Sequence, residues 1–326
     1  MAGVTTFPPL PTGARSPWPF SGILGDGRHS SFNITSNTTA TEVLFQAGDF
    51  TIDNATYTVK QQNPGGIFIA CTGRFKMTSG GILDANGQGA LGASSVTNAV
   101  GKNGMYGRGP GGGGAGGCND GANVGGYGAG TLALPVGMPF ANNATAVALY
   151  DGAGTTALFD QNTAASTLAH LSIAARMLVP SVGPGNPGTA GNTPSTTLVT
   201  PFFDLAQSTD ILHLLGFGGG GGSGASISGA VSSGAGGKGG GCIFIVCNEL
   251  DFQSGATIRA SGNAGGNAAA NASGGGGGGG GVIIILYRTL ITNAGTLTIS
   301  GGAGGTGDGN GGAGGAGYSK AATLRF

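Results

Sequence analysis

Four glycine tracts, Gly109 to Gly130, Gly216 to Gly241, Gly262 to Gly281 and Gly301 to Gly317, interrupt the chain and limit what it can fold into. Glycine loses more backbone freedom on folding than any other residue, so a long run of it stays ordered only if something compensates along its whole length. Such tracts are either flexible linkers or extended helices of the polyproline II type, three residues per turn, packed side by side. Without Cβ atoms, neighbouring backbones approach closely enough to exchange N–H···O and Cα–H···O bonds, and this packed form is the expectation carried forward. Collagen is excluded, because Gly does not recur strictly at every third position with Pro between.

Between the tracts one pattern recurs three times: a glycine entry, an apolar strand, a turn, a second strand and a glycine exit. The first copy runs from Gly66-Ile67-Phe68-Ile69-Ala70-Cys71 through Ser79-Gly80-Gly81 to Ile82-Leu83-Asp84-Ala85-Asn86-Gly87. The second runs from Gly241-Cys242-Ile243-Phe244-Ile245-Val246-Cys247 through Ser254-Gly255 to Ala256-Thr257-Ile258-Arg259-Ala260-Ser261-Gly262. The third runs from Gly281-Val282-Ile283-Ile284-Ile285-Leu286-Tyr287 through Asn293-Ala294-Gly295 to Thr296-Leu297-Thr298-Ile299. A continuous apolar run suits a strand covered on both faces, and an alternating one suits a strand with one wet face. One copy cannot hide its own apolar surface, so copies must stack. Segments 32–35, 43–45, 50–52 and 57–59 read as further strands that start the stack. The expected fold is therefore all-β, with solenoid- or sandwich-like β-rungs joined by glycine-rich polyglycine II-type segments and interrupted by a partly helical insertion.

Residues 131–216 are richer in Leu, Ala, Thr and Pro, and they hold the plausible helices at 155–178 and 202–215, separated by a turn-rich loop from Pro180 to Pro194. The chain thus divides into a Pro-rich N-terminal extension (1–30), a first strand region (31–108), a glycine tract (109–130), the insertion (131–216) and a glycine-rich strand region (217–326).

Charge excludes partners recognised by bulk electrostatics. Lys and Arg number 13 and Asp and Glu 13, with a net charge of zero, so no nucleic-acid footprint is present. With 39% hydrophobic residues the chain has apolar surface to bury and is read as ordered. No apolar run approaches the roughly 20 residues of a membrane span, and no signal-peptide pattern opens the sequence. Such a chain reaches the outside of a cell by lysis, as virion parts do, or by a route the sequence does not advertise.

No enzyme motif survives inspection. GxGxxG matches inside the tracts follow from composition, since none leads from a strand into a helix. Gly237-Lys238-Gly239 and Gly101-Lys102-Asn103 lack the Ser or Thr of a phosphate loop. His29, His170 and His213 have no companions at ligand or triad spacing, and Asp308-Gly309-Asn310-Gly311 lacks the carboxylates of a calcium loop. Asp84 of the first copy is matched by Ala260 and by Ile299 or Thr298, so no acidic pair stands at equivalent positions. Cys71, Cys118, Cys242 and Cys247 read as buried small hydrophobes, and a Cys242–Cys247 bond is improbable because the two point to opposite faces of a strand. No catalytic, cofactor or metal residue is assigned. Tyr106 and Tyr127, in or beside the first glycine tract, are candidates for receptor contact.

Gly25-Asp26-Gly27 followed by Phe32-Asn33-Ile34-Thr35-Ser36-Asn37-Thr38-Thr39 and Ile82-Leu83-Asp84-Ala85-Asn86-Gly87 resembles glycine-rich tail or receptor-binding proteins of bacteriophages. The later strands ending in glycine runs resemble the T-even-type adhesins, in which packed polyglycine helices present loops to host receptors. The resemblance implies a non-enzymatic virion component that forms homo-oligomers and joins other virion proteins. It also implies contact with a host surface glycan or outer-membrane protein. It leaves 131–216 unexplained. The other class of reading is a capsid decoration protein or a self-assembling extracellular filament subunit.

Overall fold

The computed structural model describes residues 27, 30–41, 44–59, 66–97, 99, 101–102, 104, 113–117, 125–126, 128, 188, 190, 218–226 and 231–323. Twelve strands lie within them. Five short ones come first: β1 (Phe32–Ile34), β2 (Thr38–Thr39), β3 (Leu44–Ala47), β4 (Phe50–Ile52) and β5 (Thr56–Thr58). Long and short strands then alternate: β6 (Gly66–Met77), β7 (Ile82–Asp84), β8 (Cys242–Phe252), β9 (Thr257–Arg259), β10 (Val282–Asn293), β11 (Thr296–Thr298) and β12 (Tyr318–Thr323). Their Ile, Val, Phe and Thr content is that of a pleated, half-buried surface.

All strand pairs of both sheets are parallel. The seven-stranded sheet has the order β1-β4-β6-β8-β10-β12, with β3 also on β6, and the five-stranded sheet has the order β11-β9-β7-β5-β2. Each long strand therefore lies in one sheet and the short strand after it in the other. We call one such circuit of the chain a tier. The corner between the two is tight, and it recurs at one place in successive tiers. Asn54, Gly80 and Gly255 all have positive φ there, at 47°, 80° and 83°. This is backbone that L side chains adopt at a cost and that Gly and Asn tolerate. A Cβ on Gly80 would meet the Asn54 side chain, and one on Gly255 would meet Ser79.

The core lies between the sheets. Ile67, Ile69, Cys71, Phe75 and Met77 of β6 stack in register on Ile243, Ile245, Cys247, Leu250 and Phe252 of β8, and all ten are fully buried. Leu83 and Ile258 close the space from the other sheet. At the N-terminal end Phe32, Phe45, Phe50 and Tyr57 form an aromatic cluster with centroid distances of 5.3 to 6.2 Å, which favours offset and edge-on contacts. Phe68, Phe244 and Ile284, on the opposite face of the long strands, are buried as well. Outside the core, charges meet partners one tier away: Arg74 and Glu249 at 2.9 Å, and Arg259 and Asp84 at 2.7 Å. All but Asp84 are about a third or more exposed, so these pairs fix register more than they stabilise.

The glycine tracts are folded against one another. Ser273–Gly281 is the centre. Gly276, Gly277 and Gly278 donate in turn to the carbonyls of Gly222, Gly312 and Asn263, at 2.8, 2.9 and 2.9 Å. The next three residues repeat the sequence on Gly219, Gly315 and Ala260. The same segment accepts from Gly237 and Gly240, from Gly114 and Gly117, and from Gly302 and Gly305. Donors and acceptors thus point to six flanking segments with a period of three residues. A Cβ on Gly276, Gly277 or Gly278 would meet the backbone of Gly114, Gly302 or Lys238. At the lattice surface the period is visible in the residues themselves. From Gly301 onward Gly302, Gly305, Gly312 and Gly315 are buried, whereas Ala303, Thr306 and Ala313 are exposed.

This architecture corrects the expected fold class, an all-β array of solenoid- or sandwich-like rungs with polyglycine II-type joints and a partly helical insertion. The strands form two separate all-parallel sheets, and no described residue is helical. The reason lies at the corners. Ser79-Gly80-Gly81 and its equivalents read in sequence as turns within a repeated unit, but with Gly80 and Gly255 left-handed they pass the chain into the other sheet. The same strand of the next copy then arrives parallel. The helices expected at 155–178 and 202–215 fall outside the described residues.

Candidate functional site

The lattice segments leave the tiers, turn and come back. Gly262 leaves β9, and Gly281 leads back into β10; Gly301 leaves β11, and Gly317 leads back into β12. The turns lie at the end of these segments away from the strands. Non-glycine residues collect there: Asn267, Ala269, Ala270 and Asn271 in one turn, and Thr306, Asp308 and Asn310 in the next, all exposed.

Side chains tie these turns together. The Asn267 Oδ1 accepts from the Thr306 amide at 2.9 Å, and the Asp308 Oδ2 accepts from the Asn271 amide at 2.7 Å. Asn271 is held at φ 67°, a conformation Asn enters more readily than most residues. Beside them, Ser226 bridges both Ala99 and Ala272, its hydroxyl donates to the Val231 carbonyl at 2.6 Å, and the Ser233 Oγ accepts from the Val96 amide at 2.9 Å. Gly188 donates its amide to the Asn310 carbonyl at 2.8 Å, so part of the chain between the first and second long strands returns to this end. The result is a polar rim of amides and hydroxyls that carries one described carboxylate, Asp308, on a backbone fixed by the lattice. Such a surface can bind by hydrogen bonding and shape.

Of the residues expected to contact a receptor, Tyr106 and Tyr127 lie outside the described residues, as do His29, His170, His213 and Cys118. Cys71, Cys242 and Cys247 are buried and form no disulfide. Cys71 and Cys247 are register partners in the core, and burial pushes the Cys247 thiol up to about 12. Cys71 is raised by burial first, then by Cys247 and Asp49. Neither is a nucleophile at neutral pH. Asp84, set against Ala260 in the repeat alignment, pairs in register with Arg259. Among the described residues no three His, Cys, Asp or Glu side chains are grouped to hold a metal ion. Asn267 and Asn271 escaped the sequence reading of the site. Their signal was their place: each interrupts the glycine tract between Gly262, which leaves the tiers, and Gly281, which leads back into them.

Comparison with known proteins yields no matching family, no similar curated protein and no similar solved structure.

Proposed function

We propose that the chain is a non-enzymatic structural protein of a phage virion, a tail-fibre, spike or adhesin component. On this reading the far end of its glycine lattice meets the host surface. The observation that carries the proposal is the placement of the polar turns 267–271 and 306–310 at the end of a support whose every repeat is locked by backbone hydrogen bonds. A rigid scaffold that presents loops loses little entropy when those loops bind. Neutral amides and hydroxyls suit a host surface glycan or the polar loops of an outer-membrane protein, and nucleic acid is disfavoured by the absence of net charge.

The test is adsorption. Particles carrying Ala269→Arg with Ala270→Arg should form in normal yield and lose attachment to host cells, while particles carrying Ala303→Arg on the side of the lattice should attach normally. Normal attachment of the first variant would exclude this end as the contact, and failure of particle assembly would indicate a capsid or filament role instead.

A further inference from the structure

Among the described residues, the two ends of the strand stack are incomplete in complementary ways. A full tier has three strand segments: the first half of a long strand, its second half, and a short strand in the other sheet. β3 and β12 occupy the first of these columns, β1 and β4 the second, and β2, β5, β7, β9 and β11 the third. At the N-terminal end β1 and β2 lie outermost in the second and third columns, and no described strand lies beyond β3 in the first. At the other end β12 pairs with Val282–Tyr287 alone. Residues 288–293 of β10, and β11, have no outer neighbour among the described strands. One end thus lacks what the other supplies: β12 of one copy and β1 with β2 of another make a complete tier.

The side chains agree with this geometry. Large exposed hydrophobics among the described residues are Leu91, Leu290 at 49% and Ile291 at 45%, and the last two lie on this open edge. The inner counterparts of Leu290, Leu250 and Phe75, are fully buried. An exposed edge strand is ordinarily blunted with charge. Here Arg288 is the one exposed charge on residues 288–293, and the charged register pairs, Arg74 with Glu249 and Asp84 with Arg259, belong to inner tiers. The same positions end in Thr289 and Thr298 at one end, and in Thr39 for the short-strand column at the other.

We propose that residues 288–293 together with β11 are the docking surface for the β1–β2 edge of a second copy, joined by parallel strand pairing. Extending the observed register places Phe32 of the incoming copy over Leu290, Asn33 over Thr292, Ile34 over Asn293, Thr38 over Leu297 and Thr39 over Thr298. The irregularity between Leu290 and Thr292 leaves Ile291 outside this pairing. Such a contact joins unlike faces and therefore builds rows of copies.

The full chain carrying Asn33→Cys and Thr292→Cys tests it, since the described native cysteines are buried. After mild oxidation with copper phenanthroline, a ladder of dimers, trimers and longer species should appear, with the 33–292 bond identified by peptide mass. Adding Leu290→Lys, an exposed position, should leave the circular dichroism unchanged and cut ladder yield about tenfold, the effect of a loss near 1.4 kcal/mol. A chain that stays monomeric at all concentrations, or one that links 33 to 33 or 292 to 292, overturns the proposal.

Discussion

The tiers and the glycine lattice solve one problem by opposite means. In the tiers backbone hydrogen bonds run within sheets, and apolar side chains such as Ile245, Phe252 and Met77 supply the packing between them. In the lattice the few buried side chains, such as Ala225, Ala272 and Ser273, are small. Each segment around Ser273–Gly281 is held on all sides by backbone hydrogen bonds, and close approach replaces side-chain burial. A residue that stabilises one region would therefore destroy the other. The number of glycines per three residues reports how many neighbours a segment has: all three where it is surrounded, two where one side faces water.

Substitutions separate the two modes. Phe252→Ala in the core should cost about 3–5 kcal/mol in denaturant unfolding, through lost burial and a cavity. Gly277→Ala, which adds one carbon, should cost about 1–3 kcal/mol or more. The same change in an ordinary helix would be stabilising, so a neutral result would mean that the lattice contacts are loose. A pH titration probes the core of the tiers. The Cys247 thiol is pushed from 9.0 to about 12, so the folded state holds its proton where the unfolded state releases it. Stability should be fully present below pH 9 and fall by up to about 1.4 kcal/mol per unit above it. Cys247→Ala should reduce that slope and leave the part that the buried Cys71 contributes, as read from melting temperature against pH. Smallest of all, Ala303→Val on the exposed third position of the lattice should lie within about 0.5 kcal/mol of the parent.

Much of the tier arrangement was legible. The forty-residue offset between copies is the register itself, since Cys242 pairs with Val282, and the thirty-nine-residue offset pairs Thr257 with Thr296. What the sequence hid was direction. A turn rich in Ser and Gly looks the same whether it folds a strand back or carries it into a second sheet, and only the left-handed backbone at Gly80 and Gly255 decides. The alignment of repeats also slipped by one at the short strands, which set Asp84 beside Ala260 and concealed its pairing with Arg259. The polar rim was hidden for another reason. Asn and Asp within glycine tracts read as turn residues, and their convergence depends on the lattice that brings residue 267 beside 306 and 271 beside 308.

The central claim is that the glycine segments are folded structure, as firmly held as the strands. Amide hydrogen exchange on the intact protein tests it directly. The amides of Gly274 to Gly281 should exchange as slowly as those of Ile243 to Cys247, because both sets are hydrogen-bonded and buried. Exchange of the glycine amides at the rate of an open chain, alongside protected strands, would contradict the account.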